Sequence, residues 1–477
     1  MIPRPLPASA PAAQGVDAAG VDAFLDAVEA APGIEPHSLL ILRHGRLVAS
    51  GWWAPYTPDR LHLLYSLSKS FTSTAAGLAA AEGLLRLDDP VISYFPEYAD
   101  EVTDPRVRAM LVRHVASMAS GHLAETFDRA RALDPDDLLH GFLLLPPERD
   151  PGTVFAYNQP ATYTLAAIVQ RVTGQTLTEY LRPRLFDPLG IGRAAWHHDR
   201  RGRELGFSGL HTTSDAIARL GQLYLDGGLW EGRRVLPEEW VAEATRAHIP
   251  TAGAMSGGDW DLGYGLQFWM ARHGYRGDGA YGQFCLVLPE HDAVIAITSQ
   301  SADMQALLDL VWEHLVPAFR TAPLQGRERA DAALRERLAG LALPPAAGKP
   351  APPQDTDAWQ GAVFTPRGGK CADQPGLTSI SLTAGADGWT IALTEGGQVL
   401  PLRLAPDAGW AVAEEPAPIA VSGGWTDAGT LDVDLAFLET PHHLRVTCSL
   451  AEGTFTARWT TVPLRSGPLR SLRAPSS

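Results

Sequence analysis

The chain has 477 residues, more than one hydrophobic core usually supports, so its length favours two domains. Its hydrophobic fraction of 45% and charged fraction of 19% describe an ordinary globular protein. Its net charge of -15 argues against binding to nucleic acid or to an anionic membrane surface.

The N-terminal residues, the cysteines and the histidines exclude further classes. Residues 1–7 are rich in proline and lack the apolar core of a secretory signal, and no stretch approaches the roughly 20 apolar residues that span a bilayer. The three cysteines make neither a disulfide framework nor a zinc motif, and His197-His198 has no third ligand nearby. The sequence therefore predicts a cytoplasmic protein with no metal, no cofactor and no membrane partner, and it leaves the oligomeric state open.

Hydrophobic spacing predicts strands at both ends of a first region and helices between them. The predicted elements are, in chain order, a helix over 16–31, hairpin strands over 38–42 and 46–52, helices over 66–82, 163–172, 176–186 and 213–224, a strand over 265–271, hairpin strands over 283–288 and 293–298, and a helix over 304–316. This order predicts an α+β domain whose terminal segments share one sheet.

The last part of the chain has a different pattern. Residues 343–353 are rich in proline and alanine and indicate a stiff linker. Short apolar runs, separated by Gly, Asp and Pro turns, then cover residues 377–383, 389–393, 431–437, 444–450 and 455–461. This spacing predicts a small all-β barrel or sandwich. The predicted division is a first domain over residues 1–322, a helix and linker over 323–355, and the all-β domain over 356–477.

Lysine is rare in this chain, and its placement is informative. Of the 39 basic residues only Lys69, Lys349 and Lys370 are lysines, and Lys69 follows Ser66 by three positions. A guanidinium keeps its proton, whereas a desolvated ammonium can lose one. A serine one helical turn before such an amine is a candidate nucleophile, and the free N–H groups at a helix start favour the negative charge that its attack creates. The alternative is that the two residues only form the first turn of the helix.

Two further segments offer groups for the same chemistry. Tyr157 lies on a loop ahead of a predicted helix, where a neighbouring cation can lower its pKa from about 10 and make the phenol a proton shuttle. Packing within the loop is the alternative for this tyrosine. The glycine-rich segment 275–282 leads into the last hairpin of the first region, and such a strand edge lets a substrate approach the backbone as an oxyanion hole requires.

These motifs and their order resemble the serine β-lactamase and penicillin-binding-protein superfamily, near the class C β-lactamases and the related serine esterases of the family VIII type. The resemblance covers about residues 16–320. The stretches that carry it are the Ser-x-x-Lys helix with the Glu-Gly-Leu-Leu-Arg-Leu-Asp-Asp-Pro that follows, and the residues over 181–191 and 263–269. It implies a β-lactamase/transpeptidase-like antiparallel sheet with a helical subdomain, to which the C-terminal all-β domain is added.

Carried over residue by residue, the resemblance implies roles for the candidate residues. Ser66 would be the acylated nucleophile, Lys69 its proton acceptor, and Tyr157 the group that helps to move the proton to the leaving group. The backbone N–H groups of Ser66 and Ala280 would form the oxyanion hole, on an alignment through Gly279 that can slip by one residue.

Two departures from the family pattern bear on the substrate. Gln159 stands where relatives have the Asn of Tyr-x-Asn, and Asn158 is the alternative if the backbone is shifted. The third motif reads Gly277-Asp278-Gly279 where relatives have Lys-Thr-Gly or His-Thr-Gly, so the cation and hydroxyl that grip a β-lactam carboxylate are missing and an aspartate would repel it. Arg276 is one position out of phase and on a strand faces the other way.

The sequence therefore predicts a serine hydrolase, and specifically a carboxylesterase that forms an acyl-enzyme with small uncharged esters, because esters need less leaving-group protonation than amides. One alternative is an amidase, peptidase or weak β-lactamase that acts on small amides, D-peptides or lactams. The other is a non-catalytic, penicillin-binding-like sensor, which the altered motifs suggest and the intact Ser66 and Lys69 oppose.

Three side chains have two interpretations each. Arg276 and Asp278 are either substrate-binding groups or a structural ion pair at the sheet edge, and in the first case Asp278 would select a cationic or amine-bearing substrate. His211 precedes a predicted helix and either borders the site or is a cap or loop histidine.

Overall fold

The computed structural model describes residues 4–255, 257–354, 356–386 and 388–475. The predicted domain limits at residues 1, 355 and 477 lie outside the described residues, and the division into domains stays a prediction. The described helices are α1 Ala18–Ala30, α2 Ser68–Ala81, α3 Pro105–Ala109, α4 Val112–Ala116, α5 Phe127–Leu133, α6 Leu138–Leu143, α7 Gln159–Thr173, α8 Leu177–Leu181, α9 Asp187–Leu189, α10 Ser214–Leu225, α11 Glu238–Ala244, α12 Met304–Leu310, α13 Glu328–Ala339 and α14 Thr356–Trp359.

Strands form two large sheets and two small ones. The strands up to residue 301 are β1 Ile34–Arg43, β2 Arg46–Trp52, β3 His62–Leu63, β4 Ala194–Trp196, β5 Leu210–Thr212, β6 Leu229–Trp230, β7 Arg233–Arg234, β8 Trp269–Ala271, β9 Gly274–Gly279, β10 Gln283–Leu288 and β11 Ala293–Ser301. The later strands are β12 Val363–Pro366, β13 Leu377–Gly385, β14 Gly388–Glu395, β15 Gln398–Arg403, β16 Ala411–Ala413, β17 Ile419–Trp425, β18 Thr430–Phe437, β19 His442–Ser449 and β20 Thr454–Trp459.

The first large sheet joins strands from both ends of the first region. Within the described residues its order is β2-β1-β11-β10-β9-β8, and every neighbouring pair is antiparallel. Helix α10 packs on β1, β10 and β11, where Gly221 allows close approach because a Cβ there would lie 2.5 Å from Val294 Cγ1. The predicted α+β fold, with its terminal segments in one sheet, is confirmed.

The helix that carries Lys69 begins later than the sequence predicts. The α-helical part starts at Ser68, and Ser66 lies in a single 3-10 turn over Tyr65–Leu67. A short 3-10 turn is common at the start of an α-helix, and Tyr65, which opens this turn, has φ +48°, a left-handed conformation that a helix cannot include. Beyond this turn α2 is buried over most of its length, which fixes the position of Lys69 on it.

Two other predicted elements also differ from the structure. The strand expected over 265–271 is limited to β8, because Gln267 has φ +66° and its side-chain amide is bonded to Thr162 and Ala116 rather than exposed on a strand. The helix expected over 176–186 is α8 followed by a π-helical turn over Arg182–Phe186.

The second large sheet lies in the last part of the chain, where the sequence predicts a barrel or a sandwich. Its order among the described residues is β15-β14-β13-β12-β20-β19-β18-β17-β16, and β12 with β20 is its parallel pair. The end strands β15 and β16 contact each other, so the sheet curls into a nearly closed barrel. Its separate core contains Trp359, Ile380, Leu393, Trp425, Leu435 and Phe455.

The segment between the two sheets is bonded to residues just after β2 and to β17. Leu343 N–H donates to Ala54 O at 2.8 Å, and Lys349 and Trp425 exchange two backbone hydrogen bonds of 2.9 and 3.0 Å. The predicted linker is therefore held against its surroundings by main-chain contacts. Across the described residues, none of the helices has the length and apolar character that a membrane crossing needs.

Candidate active site

Ser66 and Lys69 meet at the start of α2. Lys69 Nζ lies 3.0 Å from Ser66 Oγ, and the lysine side chain is only 1% exposed whereas Ser66 is partly exposed. The 3-10 turn and the first helical turn bring the two side chains to the same face. The serine hydroxyl is thus within hydrogen-bonding reach of a buried amine, which is the geometry that activates a nucleophile.

The amine of Lys69 is surrounded by uncharged acceptors. Besides Ser66, it donates to Gln159 Oε1 at 2.7 Å and to the Phe207 carbonyl oxygen at 2.8 Å. Among the residues that the structure describes, none of its hydrogen-bond partners is a carboxylate. Burial without a contacting negative charge disfavours the ammonium form and lowers the pKa of Lys69 to about 7, although the more distant Glu125 and Asp278 act in the other direction.

Tyr157 lies over the same amine. Its ring centroid is 4.7 Å from Lys69 Nζ, and its ring stacks on Trp269 with centroids 5.5 Å apart. The sequence-based expectation that a cation lowers the pKa of this phenol is wrong: burial raises it instead. The phenol therefore keeps its proton near neutral pH, so it suits the donor role and Lys69 suits the role of base.

Gln159 and Asn158 point to different partners. Gln159 is the first residue of α7 and presents its side-chain oxygen to Lys69, as described above. Asn158 is fully buried and accepts hydrogen bonds from the backbone and hydroxyl of Thr126 at 3.1 and 2.9 Å. The structure thus brings Gln159, and not Asn158, to the amine.

Strand β9 passes directly against the turn that holds Ser66. A Cβ at Gly277 would lie 2.3 Å from Leu67 Cδ1, and a Cβ at Gly279 would lie 2.2 Å from the Leu64 carbonyl oxygen. At Gly279 the contact is with backbone, so only glycine allows the approach there, whereas at Gly277 the side chains of Leu67 and Ser70 would have to move. The strand therefore ends beside the nucleophile turn at Gly279, and the N–H of the next residue, Ala280, donates no hydrogen bond within the described part of the chain. A free amide at this place has the character of an oxyanion-hole donor.

Arg276 and Asp278 form a buried pair on this strand. Arg276 Nε lies 3.1 Å from Asp278 Oδ2, and the two side chains are 0% and 8% exposed. Arg276 also donates to the carbonyl oxygens of Asp259 and Met270 at 3.3 and 2.7 Å. Arg276 is thus bonded through Nε and Nη1, while its buried Nη2 has no hydrogen-bond partner among the described residues. The structure shows the ion pair that the sequence offered as one of two interpretations.

The nucleophile turn also touches the C-terminal sheet. The Tyr65 hydroxyl is bonded to His442 Nε2, and its ring lies 5.5 Å from the ring of Tyr281. Tyr281 in turn donates from its hydroxyl to the Val462 carbonyl oxygen. These contacts hold the side chain of Tyr65, whose positive φ requires support from the surrounding structure.

His211 lies in β5 and not on an accessible surface. Its side chain is 0% exposed, its Nδ1 is 3.2 Å from the Gly209 carbonyl oxygen, and its ring is 5.0 Å from that of His197. In this position its ring cannot contact a substrate, and His211 is a buried strand residue rather than the cap or loop histidine that the sequence also suggested, since the cap of α10 is Thr213.

Sequence reasoning missed three groups near the amine. The Phe207 carbonyl is a backbone atom and carries no sequence signal. Glu125, whose carboxylate accepts from the Gln159 N–H at 3.1 Å, lies in a segment without a recognisable motif. His442 is 377 positions away from Tyr65 and belongs to the other sheet, so no local pattern relates the two residues.

An α+β domain with Ser66, a low-pKa lysine and a tyrosine at one helix start defines a class of hydrolases, and comparison with known proteins places the chain within it. The family model described as Beta-lactamase matches residues 21–315. This chain belongs to the beta-lactamase family, and it is a hydrolase of the serine type.

Two curated relatives and one solved structure illustrate the similarity. The 6-aminohexanoate-dimer hydrolase of Paenarthrobacter ureafaciens is 32% identical over 288 residues, which are 56% of this chain and 73% of that protein. The lovastatin esterase of Penicillium rubens is 32% identical over 168 residues, which are 31% of this chain and 42% of that protein. The crystal structure of SurE has a TM-score of 0.51 at 20% identity and covers 85% of this chain and 93% of its own, which shows a shared fold.

Proposed function

We propose that this chain is a carboxylesterase that forms an acyl-enzyme on Ser66 with small uncharged esters. The observation that carries the proposal is the 3.0 Å contact between Ser66 Oγ and Lys69 Nζ, an amine with a pKa of about 7. Above that pH the amine is neutral and accepts the hydroxyl proton while Oγ bonds to the carbonyl carbon.

The later steps use groups that surround the same point. The oxyanion of the tetrahedral intermediate lies against the N–H groups of Ser66 and Ala280. When the intermediate collapses, the bond to the alkoxide leaving group breaks, and the proton on Lys69 reaches the leaving oxygen through the Tyr157 hydroxyl. Water then attacks the acyl carbon, releases the carboxylic acid and restores the Ser66 hydroxyl.

The buried pair on β9 supports an uncharged substrate. A free cation at this edge would attract a substrate carboxylate, but Arg276 is fully buried and already bonded to Asp278. The same pairing argues against Asp278 as the group that selects an amine, because its charge is already matched. Neither side chain is available to a charged group on the substrate.

Small amides are the second candidate substrates. The position of Tyr157 beside Lys69 Nζ, with a phenol that keeps its proton, favours this alternative, since an amine leaving group needs a proton more than an alkoxide does. The names of the two relatives, a 6-aminohexanoate-dimer hydrolase and a lovastatin esterase, do not separate the two substrate classes.

Labelling with an active-site fluorophosphonate tests the nucleophile. Intact mass is expected to show one adduct on the wild type and none on Ser66→Ala. Ser70→Ala is the matched control, because Ser70 lies on the same helix but its hydroxyl donates to the Gln267 carbonyl oxygen at 3.1 Å. This control is expected to keep the adduct. A wild type without an adduct would contradict the proposal and favour a non-catalytic binding protein.

Turnover of three chromogenic substrates then tests the substrate class. We expect a short p-nitrophenyl ester to be hydrolysed faster than the p-nitroanilide of the same acid, and a chromogenic cephalosporin to be hydrolysed more slowly than both. Faster turnover of the anilide would favour the amidase alternative. Fast cephalosporin turnover without ester turnover would overturn the esterase proposal while leaving Ser66 as the nucleophile.

A further inference from the structure

A second cluster of reactive side chains lies away from Ser66, where the two large sheets meet. Glu35 and His37 belong to β1, and His443 belongs to β19. The side chains of His37 and His443 are 0% and 1% exposed. A register shift in the pairing of β1 with β11 falls at His37, and such bulges re-aim a side chain.

Three donor atoms of this cluster converge on one place. Glu35 Oε1 lies 3.1 Å from His37 Nε2 and 3.0 Å from His443 Nε2. Donor atoms bound to one tetrahedral zinc ion at about 2.0–2.1 Å lie about 3.3 Å apart, so the cluster needs only a small expansion to accept an ion. The Tyr56 hydroxyl, 3.4 Å from His443 Nε2, lies next to the fourth position.

An outer contact orients His37 with an unprotonated nitrogen toward this place. His62 Nδ1 is 3.1 Å from the Leu63 carbonyl oxygen and must donate to it, so His62 Nε2 accepts from His37 Nδ1 at 3.1 Å. His37 Nε2 then carries a lone pair that faces Glu35 Oε1. Without a positive ion between them, these two acceptors would repel each other.

His443 lies between two carboxylates. Burial lowers its pKa, but Glu35 and Asp434 outweigh burial and raise the pKa to about 10, so a metal ion would have to displace a proton from Nε2. Its Nδ1 lies 3.2 Å from both oxygens of Asp434, to which it donates, and its Nε2 faces Glu35 Oε1. A carboxylate behind a histidine that binds metal through its other nitrogen is the usual outer arrangement of zinc sites. A doubly charged cation would also balance the charges of Glu35 and Asp434.

We propose that Glu35, His37 and His443 bind a zinc ion that joins the first sheet to the C-terminal sheet. The ligands are two imidazole nitrogens and one carboxylate oxygen, which suit Zn²⁺. The sequence predicts no metal, because Glu35 and His443 are too far apart along the chain for any ligand spacing to show. The ion is structural, and the hydrolytic steps proposed for Ser66 do not use it.

Metal analysis of the full-length protein tests the site. After incubation with equimolar Zn²⁺ and desalting, the wild type is expected to retain about one ion per chain, and Co²⁺ in its place is expected to give the intense visible absorption of a tetrahedral site. The melting temperature is expected to fall on chelation and to recover when Zn²⁺ is returned.

Variants identify the ligands. His443→Ala and Glu35→Gln are expected to lose the bound ion, and Asp434→Asn is expected to weaken its affinity about 10–100-fold. His291→Ala is the matched control, because His273, Glu290 and His291 form the other described group of such side chains that lies close enough to share an ion. This control is expected to keep the ion.

Two outcomes would overturn the proposal. A wild type that retains no zinc and gives no cobalt absorption would show that the cluster is a hydrogen-bonded network without metal. Loss of the ion in His291→Ala together with its retention in Glu35→Gln would place the metal elsewhere. The first outcome is measured on the wild-type protein, so the test does not depend on whether each variant folds.

Discussion

Two buried cations lie within one site, and their surroundings differ in one respect. Lys69 is bonded to uncharged oxygens of Ser66, Gln159 and Phe207, whereas Arg276 is bonded to the carboxylate of Asp278 at 3.1 Å. Burial disfavours charge in both places, but only Arg276 has a contacting negative charge to offset it.

The difference explains how one environment can serve two purposes. The lysine can lose its proton near neutral pH and act as a base, since its pKa is about 7. The arginine keeps its charge and its partner and fixes the shape of β9 beside the nucleophile. The role of each cation therefore depends on whether a carboxylate contacts it.

The largest effect is expected when Lys69 loses the ability to release a proton. In Lys69→Arg and Lys69→Met the general base is absent, and kcat/KM for a p-nitrophenyl ester should fall by about 10²–10⁴-fold. Steady-state kinetics measures the loss, and circular dichroism checks that both variants fold. An arginine variant with near wild-type activity would contradict the requirement for a removable proton.

Breaking the other pair should affect stability. Asp278→Asn leaves a buried guanidinium without its partner, so the free energy of unfolding should fall by about 3–5 kcal/mol in denaturant titrations. The double variant Arg276→Met, Asp278→Asn removes both charges and should recover most of the loss.

The single variant Asp278→Asn also tests whether Asp278 binds substrate. Because the aspartate is already paired with Arg276, the ratio of kcat/KM for an amine-bearing ester to that for its neutral analogue should not change in Asp278→Asn. A selective loss of the amine-bearing ester would show that Asp278 contacts the substrate.

Adding a carboxylate to the lysine should make it resemble the arginine. In Gln159→Glu an acidic group replaces the amide oxygen 2.7 Å from Lys69 Nζ, which should raise the lysine pKa by about 1–3 units. Since the amine must be neutral to accept a proton, the rising limb of the pH profile of kcat/KM should move from near pH 7 to higher pH by the same amount. Activity at pH 7 should therefore fall by about tenfold or more and return at alkaline pH.

Gln170→Glu is the control for that variant. Gln170 lies on the same helix and bonds to the Ala166 and Glu204 carbonyl oxygens, away from the amine. The Gln170→Glu variant should leave the rising limb of the pH profile of kcat/KM at its wild-type position. If the pH profile of Gln159→Glu keeps the wild-type midpoint, the ionisation of Lys69 does not determine the rising limb.

The smallest effect is expected from the distant carboxylate. The charge of Glu125 acts against the lowering of the Lys69 pKa, so Glu125→Gln should move the pH limb to slightly lower pH. Glu125 is exposed, and solvent screening should keep the change below about half a unit. A pH profile measured in parallel with the wild type resolves such a change, and a shift to higher pH would contradict the direction.

Local chemistry made part of the site predictable. Ser66 and Lys69 are one helical turn apart, so their contact follows from spacing alone, and the glycines of β9 mark a strand that must approach another segment closely. The hairpin strands and the barrel-like sheet were predictable for the same reason, because alternation and turn residues lie within a few positions of one another.

Other features depend on contacts that no local pattern encodes. The turn before α2 opens at Tyr65, which adopts a left-handed backbone conformation supported by His442 from the other sheet. The lowered pKa of Lys69 is a result of burial in the assembled fold, and the Phe207 carbonyl to which the amine donates could come from any residue at that position. The raised pKa of Tyr157 is a result of burial, which only the assembled fold determines.

A titration of Lys69 by NMR tests the central claim most directly. The chain contains three lysines, so protein labelled with ¹³C at lysine Cε gives three signals, and the one lost in Lys69→Arg identifies Lys69. The Lys69 signal is expected to titrate with a midpoint near pH 7. A midpoint above pH 9 would show that the amine stays protonated at neutral pH and would contradict its role as the base.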